Sequence, residues 1–227
     1  MRRILKGLFF LNIVFTIVLT IACIYKAVGL HMVKAGNMDV PEEKMKVALT
    51  FDDGPSPECT LDLLEGLKER DVKATFFLIG QKAEENPKLV RAIHEGGHII
   101  GNHSYSHVNL GAISKEKACE QIDKTNQLIY EETGEYPVYL RSPFGSTKKN
   151  LDCNMDMIEV LWDVDPRDWE IQNTDKIVRK VVGDVKEGDI ILLHDGYDTS
   201  TAAAFQIIDI LKEKGYQFVT IDELIFE

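Results

Sequence analysis

Asp52 and Asp53 are adjacent carboxylates at the end of the apolar run Val47–Phe51, and Gly54-Pro55 follows them. The run reads as a buried strand, which Gly-Pro ends. Two acids at the carboxyl end of a core strand lie where α/β folds place their chemistry. Like charges so close are costly unless a cation or a proton relieves them. His103 and His107, in His-Ser-Tyr-Ser-His, are spaced i and i+4. On a helix both would project from one face. Two imidazoles and a carboxylate from elsewhere give three ligands with open positions, the layout of a catalytic rather than a structural metal. Each signal alone has a plainer reading, as an Asp-Asp-Gly-Pro turn or as a solvated histidine pair. Together they favour a metal, which would also relieve the paired acids.

The elements that must position these residues alternate between strand and helix. The pattern predicts strands at 47–51, 72–79, 98–100, 136–140, 160–162, 189–193 and 217–220. Helices are expected at 60–70, 86–95, 114–133, 175–182 and 201–214, with Pro87 and Ser114 near helix starts. Such alternation argues for a parallel α/β arrangement. Six to seven βα units are too few for a full eight-fold barrel. Five strand ends carry unusual polar clusters: Asp52-Asp53; His103 with His107; Arg141; Asp165 with Asp168 and Trp169; and His194. In a barrel such ends meet on one face. Asp195 and Asp198 read as solvated turn residues, and His94 and His98 as residues without a catalytic role.

Charge divides the chain. Residues 1–30 carry Arg2, Arg3, Lys6 and Lys26 and no acid, which leaves 22 basic against 37 acidic residues in the remainder, a net of −15. So acidic a body is a poor partner for nucleic acid. Leu8–Tyr25 is an 18-residue stretch without a charge. As a helix it would reach about 27 Å, close to the hydrocarbon core of a bilayer. The basic residues before it put the N-terminus in the cytoplasm and the body outside. The expected organisation is an anchor over 1–30, a linker over 31–45 and a catalytic body over 46–227. A cleaved signal peptide, with a secreted body, is the rival reading. Cys59, Cys119 and Cys153 form an odd set without C-x-x-C spacing, read as small buried thiols with room for at most one disulfide.

Thr50–Pro55, His103–His107, Arg141–Gly145, Asp165–Trp169 and Leu192–His194 resemble, in order, the five motifs of the polysaccharide deacetylases, the NodB-homology proteins of carbohydrate esterase family four. The resemblance covers about Lys46–Leu224 and implies a distorted (β/α) barrel of about seven βα units, preceded here by one transmembrane helix. It implies that Asp53, His103 and His107 bind one divalent metal, usually zinc, with cobalt, manganese, iron or nickel as alternatives. Asp52 would be the general base, held ionised by Arg141. His194 would be the general acid, oriented by Asp168. The Phe144 backbone N–H would stabilise the oxyanion, and Trp169 and Leu192 would wall the acetyl pocket. The third motif often has Tyr where this chain has Phe144; a backbone role tolerates the change.

The function so implied is removal of N-acetyl groups from an extracellular amino-sugar polymer, peptidoglycan N-acetylglucosamine first and chitin-type oligomers second, by a monomeric, membrane-anchored enzyme. Alternatives are O-deacetylation of a polymer such as acetyl-xylan, and glycan binding without catalysis on the same scaffold.

Overall fold

The computed structural model describes residues 16–26, 45–147, 151, 153 and 156–226. The chain forms two compact units, Met1–Glu43 and Lys44–Glu227. In the first, residues 16–26 form a helix (α1) with exposed side chains. Among the described residues no helix is long and apolar enough to cross a membrane. The first part of the expected span, residues 8–15, and the expected linker up to residue 44 lie outside the described residues.

The second unit is built on β1 (Met45–Gly54), which pairs in parallel with three strands. On one edge lies β2 (Thr75–Leu78); on the other, β6 (Ile190–His194) takes its upper half and β7 (Tyr216–Val219) its lower half. From β2 the sheet continues through β3 (Ile99–Asn102) and β4 (Tyr139–Leu140) to β5 (Ile158–Glu159), all parallel. Residues beyond β5 then arc back to β6, where Val164 bridges Ile191. The result is an incompletely closed, distorted barrel of parallel strands.

Strand periodicity sorts the side chains of β1 into two layers. Val47, Leu49 and Phe51 face out and join the main core with Leu63 and Leu67 of α2 (Thr60–Glu69), Val90 and Ile93 of α4 (Pro87–Glu95) and Ile207, Ile208 and Leu211 of α8 (Asp198–Glu213). Ala48 faces inward, in a smaller cluster with Phe77, Tyr139, Val160 and Ile221. Thr50 and Asp52 share that inward face, so the register of β1 alone delivers Asp52 to the barrel mouth.

Helix α5 (Lys115–Thr133) starts where Ser114 Oγ accepts from the Lys117 N–H and ends at Gly134, whose φ of 77° an L side chain would resist. Helix α7 (Thr174–Asp184) is capped in the same way by Asn173, and α9 (Ile221–Phe226) closes the described chain.

Two expectations are corrected, and one helix appears that was not expected. The strand expected at 160–162 is instead β5 at 158–159, and the next residues form an irregular crossing whose Asp163 Oδ2 accepts from the Ile190 N–H at 2.9 Å. Asp-Pro at 165–166 cannot extend a ladder. A short helix, α3 (Gly80–Glu85), follows β2 directly and carries too few residues to show a period. Cys119 and Cys153, read as thiols, form a disulfide, while Cys59 is a buried free thiol. The pair is 34 residues apart, joining α5 to the approach to β5, and sequence spacing carries no sign of that meeting.

Candidate active site

Among the described residues Arg141 is the largest fully buried side chain, and it lies beside Asp52 at the end of β1. Its Nη1 donates to Asp52 Oδ1 at 2.7 Å and to Thr50 Oγ1 at 2.8 Å. Its Nε and Nη2 donate to the Val160 and Leu161 carbonyls at 3.0 and 2.9 Å, and its guanidinium lies 4.1 Å over the Phe77 ring. Thr50 passes the chain on, donating to the Ile191 carbonyl at 2.8 Å. One cation thus neutralises the buried Asp52 and ties β4 to β1 and to the irregular crossing.

Asp53 sits at a bulge, where the pairing of β1 with β2 shifts between Asp52 and Gly54. Its φ is +69°, and the peptide bond from Gly54 to Pro55 is cis. A bulge re-aims a side chain, here toward the histidines. His103 Nε2 lies 3.4 Å and His107 Nε2 3.3 Å from Asp53 Oδ1. The i, i+4 spacing does not work through a helix: residues 103–107 form a loop, with Ser104 at φ +61° and His107 at φ +54°. His103 Nδ1 is 2.6 Å from the Arg141 carbonyl, which can only accept. Nδ1 therefore donates to that carbonyl, which leaves Nε2 as the ring nitrogen facing Asp53. Burial holds the His107 imidazole below its usual value, against the pull of the Asp53 and Asp52 carboxylates.

These residues fit a divalent cation. Asp53, His103 and His107 each offer one ligand atom, all within 4.8 Å of one another. Asp53 Oδ1 is buried without a hydrogen-bond partner, a state that costs free energy unless a cation completes it. One carboxylate oxygen and two imidazole nitrogens suit zinc and its first-row neighbours.

His194 ends β6 directly opposite Asp52 in the β1 register. Its Nδ1 lies 2.7 Å from Asp168 Oδ1. The other oxygen of Asp168 accepts from the His194 backbone N–H at 2.8 Å and from the Ser200 hydroxyl at 2.5 Å. Burial pushes the His194 imidazole down, but the hydrogen bond and charge of Asp168, with the charges of Asp52 and Asp53, overcome it and raise the pKa above 6.5. Asp168 opens the short helix α6 (Asp168–Ile171), reached through Arg167 at φ +57°, whose N–H donates to Asp165 Oδ1 at 2.7 Å. That local bond is the role Asp165 takes.

Phe144 lies in a turn over Pro143–Gly145 at φ +63°. The residue is 68% exposed, and its ring meets the His107 ring edge-on at 4.9 Å between centroids. Trp169 is 44% exposed, whereas Leu192 is buried on the same face of β6 as His194. Left-handed residues thus recur at Asp53, Ser104, His107, Phe144 and Arg167, all beside the site, as expected where geometry is held for function.

Sequence reasoning missed Thr50 and Ser200. Thr50 was legible in principle, two residues before Asp52 on the same strand face. Ser200 is brought to Asp168 by folding alone. Asp195, expected to be solvated, is buried: it accepts from Thr60 Oγ1 at 2.5 Å, and burial first of all pushes it up to about 6.

Comparison with known proteins places this geometry. The pattern of the family described as polysaccharide deacetylase matches residues 39–157. The chain is 39% identical over 188 residues to the peptidoglycan-N-acetylglucosamine deacetylase PgdA of Listeria monocytogenes, which covers 82% of this chain and 40% of that protein. It is 40% identical to a peptidoglycan-N-acetylglucosamine deacetylase of Bacillus cereus over 81% of this chain and 70% of that one. The solved structure of the peptidoglycan deacetylase PdaC from Bacillus subtilis superposes with a TM-score of 0.78 at 39% identity, covering 82% of this chain and 92% of the other. The chain thus spans about two fifths of the length of the Listeria relative. Similarity of this extent, running through both strand ends that carry the aspartates and the histidines, establishes that the chain belongs to the polysaccharide deacetylase family.

Proposed function

We propose that this protein is a metal-dependent hydrolase that removes N-acetyl groups from an extracellular amino-sugar polymer, peptidoglycan N-acetylglucosamine before chitin-type oligomers. The observation that carries the reading is the arrangement at the barrel mouth. A two-histidine, one-carboxylate triad has the Asp52–Arg141 pair on one strand end and the His194–Asp168 pair on the next. Binding alone requires neither pair. The relatives named for peptidoglycan deacetylation support the substrate class.

Asp53, His103 and His107 would hold the metal. Zinc or a related divalent ion, when bound, supplies Lewis acidity toward the acetamide oxygen and lowers the pKa of a water. Asp52, anchored through Oδ1 by Arg141, offers Oδ2 as the base that takes the proton of the attacking water. The Phe144 N–H is the donor assigned to the oxyanion of the tetrahedral intermediate. His194, kept protonated by Asp168, gives its Nε2 proton to the departing amine. Trp169 and Leu192 are assigned to the acetyl methyl. Base and acid thus have separate partners, Arg141 for Asp52 and Asp168 for His194. The basic residues and apolar stretch at the N-terminus support a single-pass membrane anchor with the catalytic unit outside the cell.

The test is acetate release from peptidoglycan, N-acetylchitooligomers and acetyl-xylan by the wild type and by His103→Ala and Asp52→Asn variants with native circular dichroism. Release from the N-acetylated polymers that both variants lose supports the reading. Turnover of acetyl-xylan alone would make it an O-deacetylase. Unchanged release by His103→Ala would remove the metal assignment, and tight glycan binding without release would leave a binding protein.

A further inference from the structure

The bulge that aims Asp53 at the histidines leaves the Asp53 carbonyl out of the strand ladder, since pairing with β2 passes from Asp52 directly to Gly54. A half-buried carbonyl outside the ladder is paired by water or by a side chain. Here the side chain is Lys82 of α3: its Nζ donates to the Asp53 carbonyl at 2.7 Å. Lys82 takes no part in the five motifs, and nothing in its sequence context marks it.

The same short segment grips the other ligand-bearing loop. The Ile79 N–H donates to the Gly54 carbonyl at 2.9 Å. The Gly80 and Gln81 N–H groups donate to the Ser104 and Tyr105 carbonyls at 2.9 and 2.8 Å. Three residues beyond Gln81, Glu84 accepts from the Tyr105 hydroxyl at 2.5 Å, and Lys124 of α5 sits 3.5 Å over that ring. Gly80 allows the close approach, because a Cβ there would lie 2.3 Å from Thr125 Oγ1. Residues 79–84 therefore hold both sides of the metal triad, Asp53 through the bulge and His103 and His107 through the loop between them.

We propose that Lys82 is a positioning residue for the metal: it fixes the left-handed bulge at Asp53 and so sets the affinity of the Asp53–His103–His107 triad for a divalent cation. The inference rests on the reading of that triad as a metal site. Lys82 also brings a positive charge toward the site, and charge alone acts in the opposite direction, since it repels a cation. The two effects predict opposite signs when Lys82 is removed, and that makes the proposal testable. Loss of a residue that orients a ligand costs about 10- to 100-fold in metal affinity.

The experiment measures zinc affinity of the full chain by competition with a chromophoric chelator, for the wild type, Lys82→Met and Lys82→Arg. Apo-protein melting curves run alongside, as does acetate release at saturating zinc. Positioning predicts that Lys82→Met binds zinc about tenfold more weakly, that Lys82→Arg stays within about threefold of the wild type, and that apo melting is unchanged. It also predicts that zinc-saturated Lys82→Met recovers most of its turnover. Unchanged or tighter binding in Lys82→Met overturns the proposal and leaves the metal site standing. A weaker affinity accompanied by an equal loss of apo stability overturns it as well, because the residue would then support the fold and not the ligand. A wild type that binds no zinc removes the metal reading and this inference together.

Discussion

Replacing Arg141 by Met tests the account of the barrel mouth as a coupled pair. The substitution keeps the apolar stem but removes the guanidinium and strands the Asp52 carboxylate, which is 3% exposed. Removing one partner of a buried ion pair costs about 3–5 kcal/mol. The Val160 carbonyl, which accepts from Arg141 Nε at 3.0 Å, also loses its donor, for about 1–3 kcal/mol more. The Leu161 carbonyl adds little, since Leu161 is half-exposed and water can replace the guanidinium there. The sum, about 4–8 kcal/mol, is a large share of the 5–15 kcal/mol that holds a typical domain together. At roughly 2–4 °C per kcal/mol for a domain of this size, the melting temperature falls by at least about 8 °C. Asp52→Asn in the Arg141→Met background removes the stranded charge and recovers roughly half of the loss. Urea unfolding of the four proteins of this cycle, in chelator and followed by far-ultraviolet circular dichroism, gives the coupling energy. A coupling above about 2 kcal/mol is expected; additivity within about 0.5 kcal/mol would refute the argument that Arg141 acts through Asp52.

Four further outcomes follow from the geometry. With His194 as the acid, kcat/KM falls as pH rises through its raised pKa. Asp168→Asn leaves burial less opposed and moves that basic limb to lower pH, so an unmoved limb contradicts the dyad. His98, held at about 4 by burial and then by Lys73, is neutral in the native state but takes a proton when unfolded. Its contribution is intact above pH 6.5 and is lost as pH falls toward 4, by about 3 kcal/mol at most, and His98→Gln flattens the fall of the urea midpoint between pH 7 and 5. Asp195, at about 6, acts oppositely: the native state takes up a proton first, so stability is gained as pH falls from 6 toward 4, and Asp195→Asn steepens the same loss. Reducing the Cys119–Cys153 bridge, which closes a separation of 34 residues, lowers stability by about 2–4 kcal/mol, read from urea midpoints with and without dithiothreitol.

The strand and its acids were legible because β1 is a long apolar run whose alternation fixes which side chains face inward. The order of the polar clusters along the chain pointed to Asp52, Asp53, His103, His107, Arg141, Asp168 and His194, which the fold brings together, since parallel strands present their carboxyl ends to one mouth. What stayed hidden depends on contacts between distant segments. The histidine pair was found by its spacing, yet its real support is a loop held by α3 and not a helix face. Lys82 and Ser200 act through one bond each to a residue far away in sequence, which leaves no period to detect. Asp195 looks like any turn acid beside a glycine, and only packing against Gly54 and Thr60 shows that it is enclosed. The Cys119–Cys153 pairing is invisible for the same reason: an odd cysteine count names no partners.

The central claim is that the triad's metal and the two flanking pairs together hydrolyse an N-acetyl group of a cell-wall polymer. It is tested most directly by acetate release from peptidoglycan by the full chain, before and after complete removal of divalent metal and after zinc is restored. The account predicts release that stops on chelation and returns in proportion to zinc bound, up to one ion per chain. Release that continues with no metal bound, or no release with the triad filled and the fold intact, would contradict it.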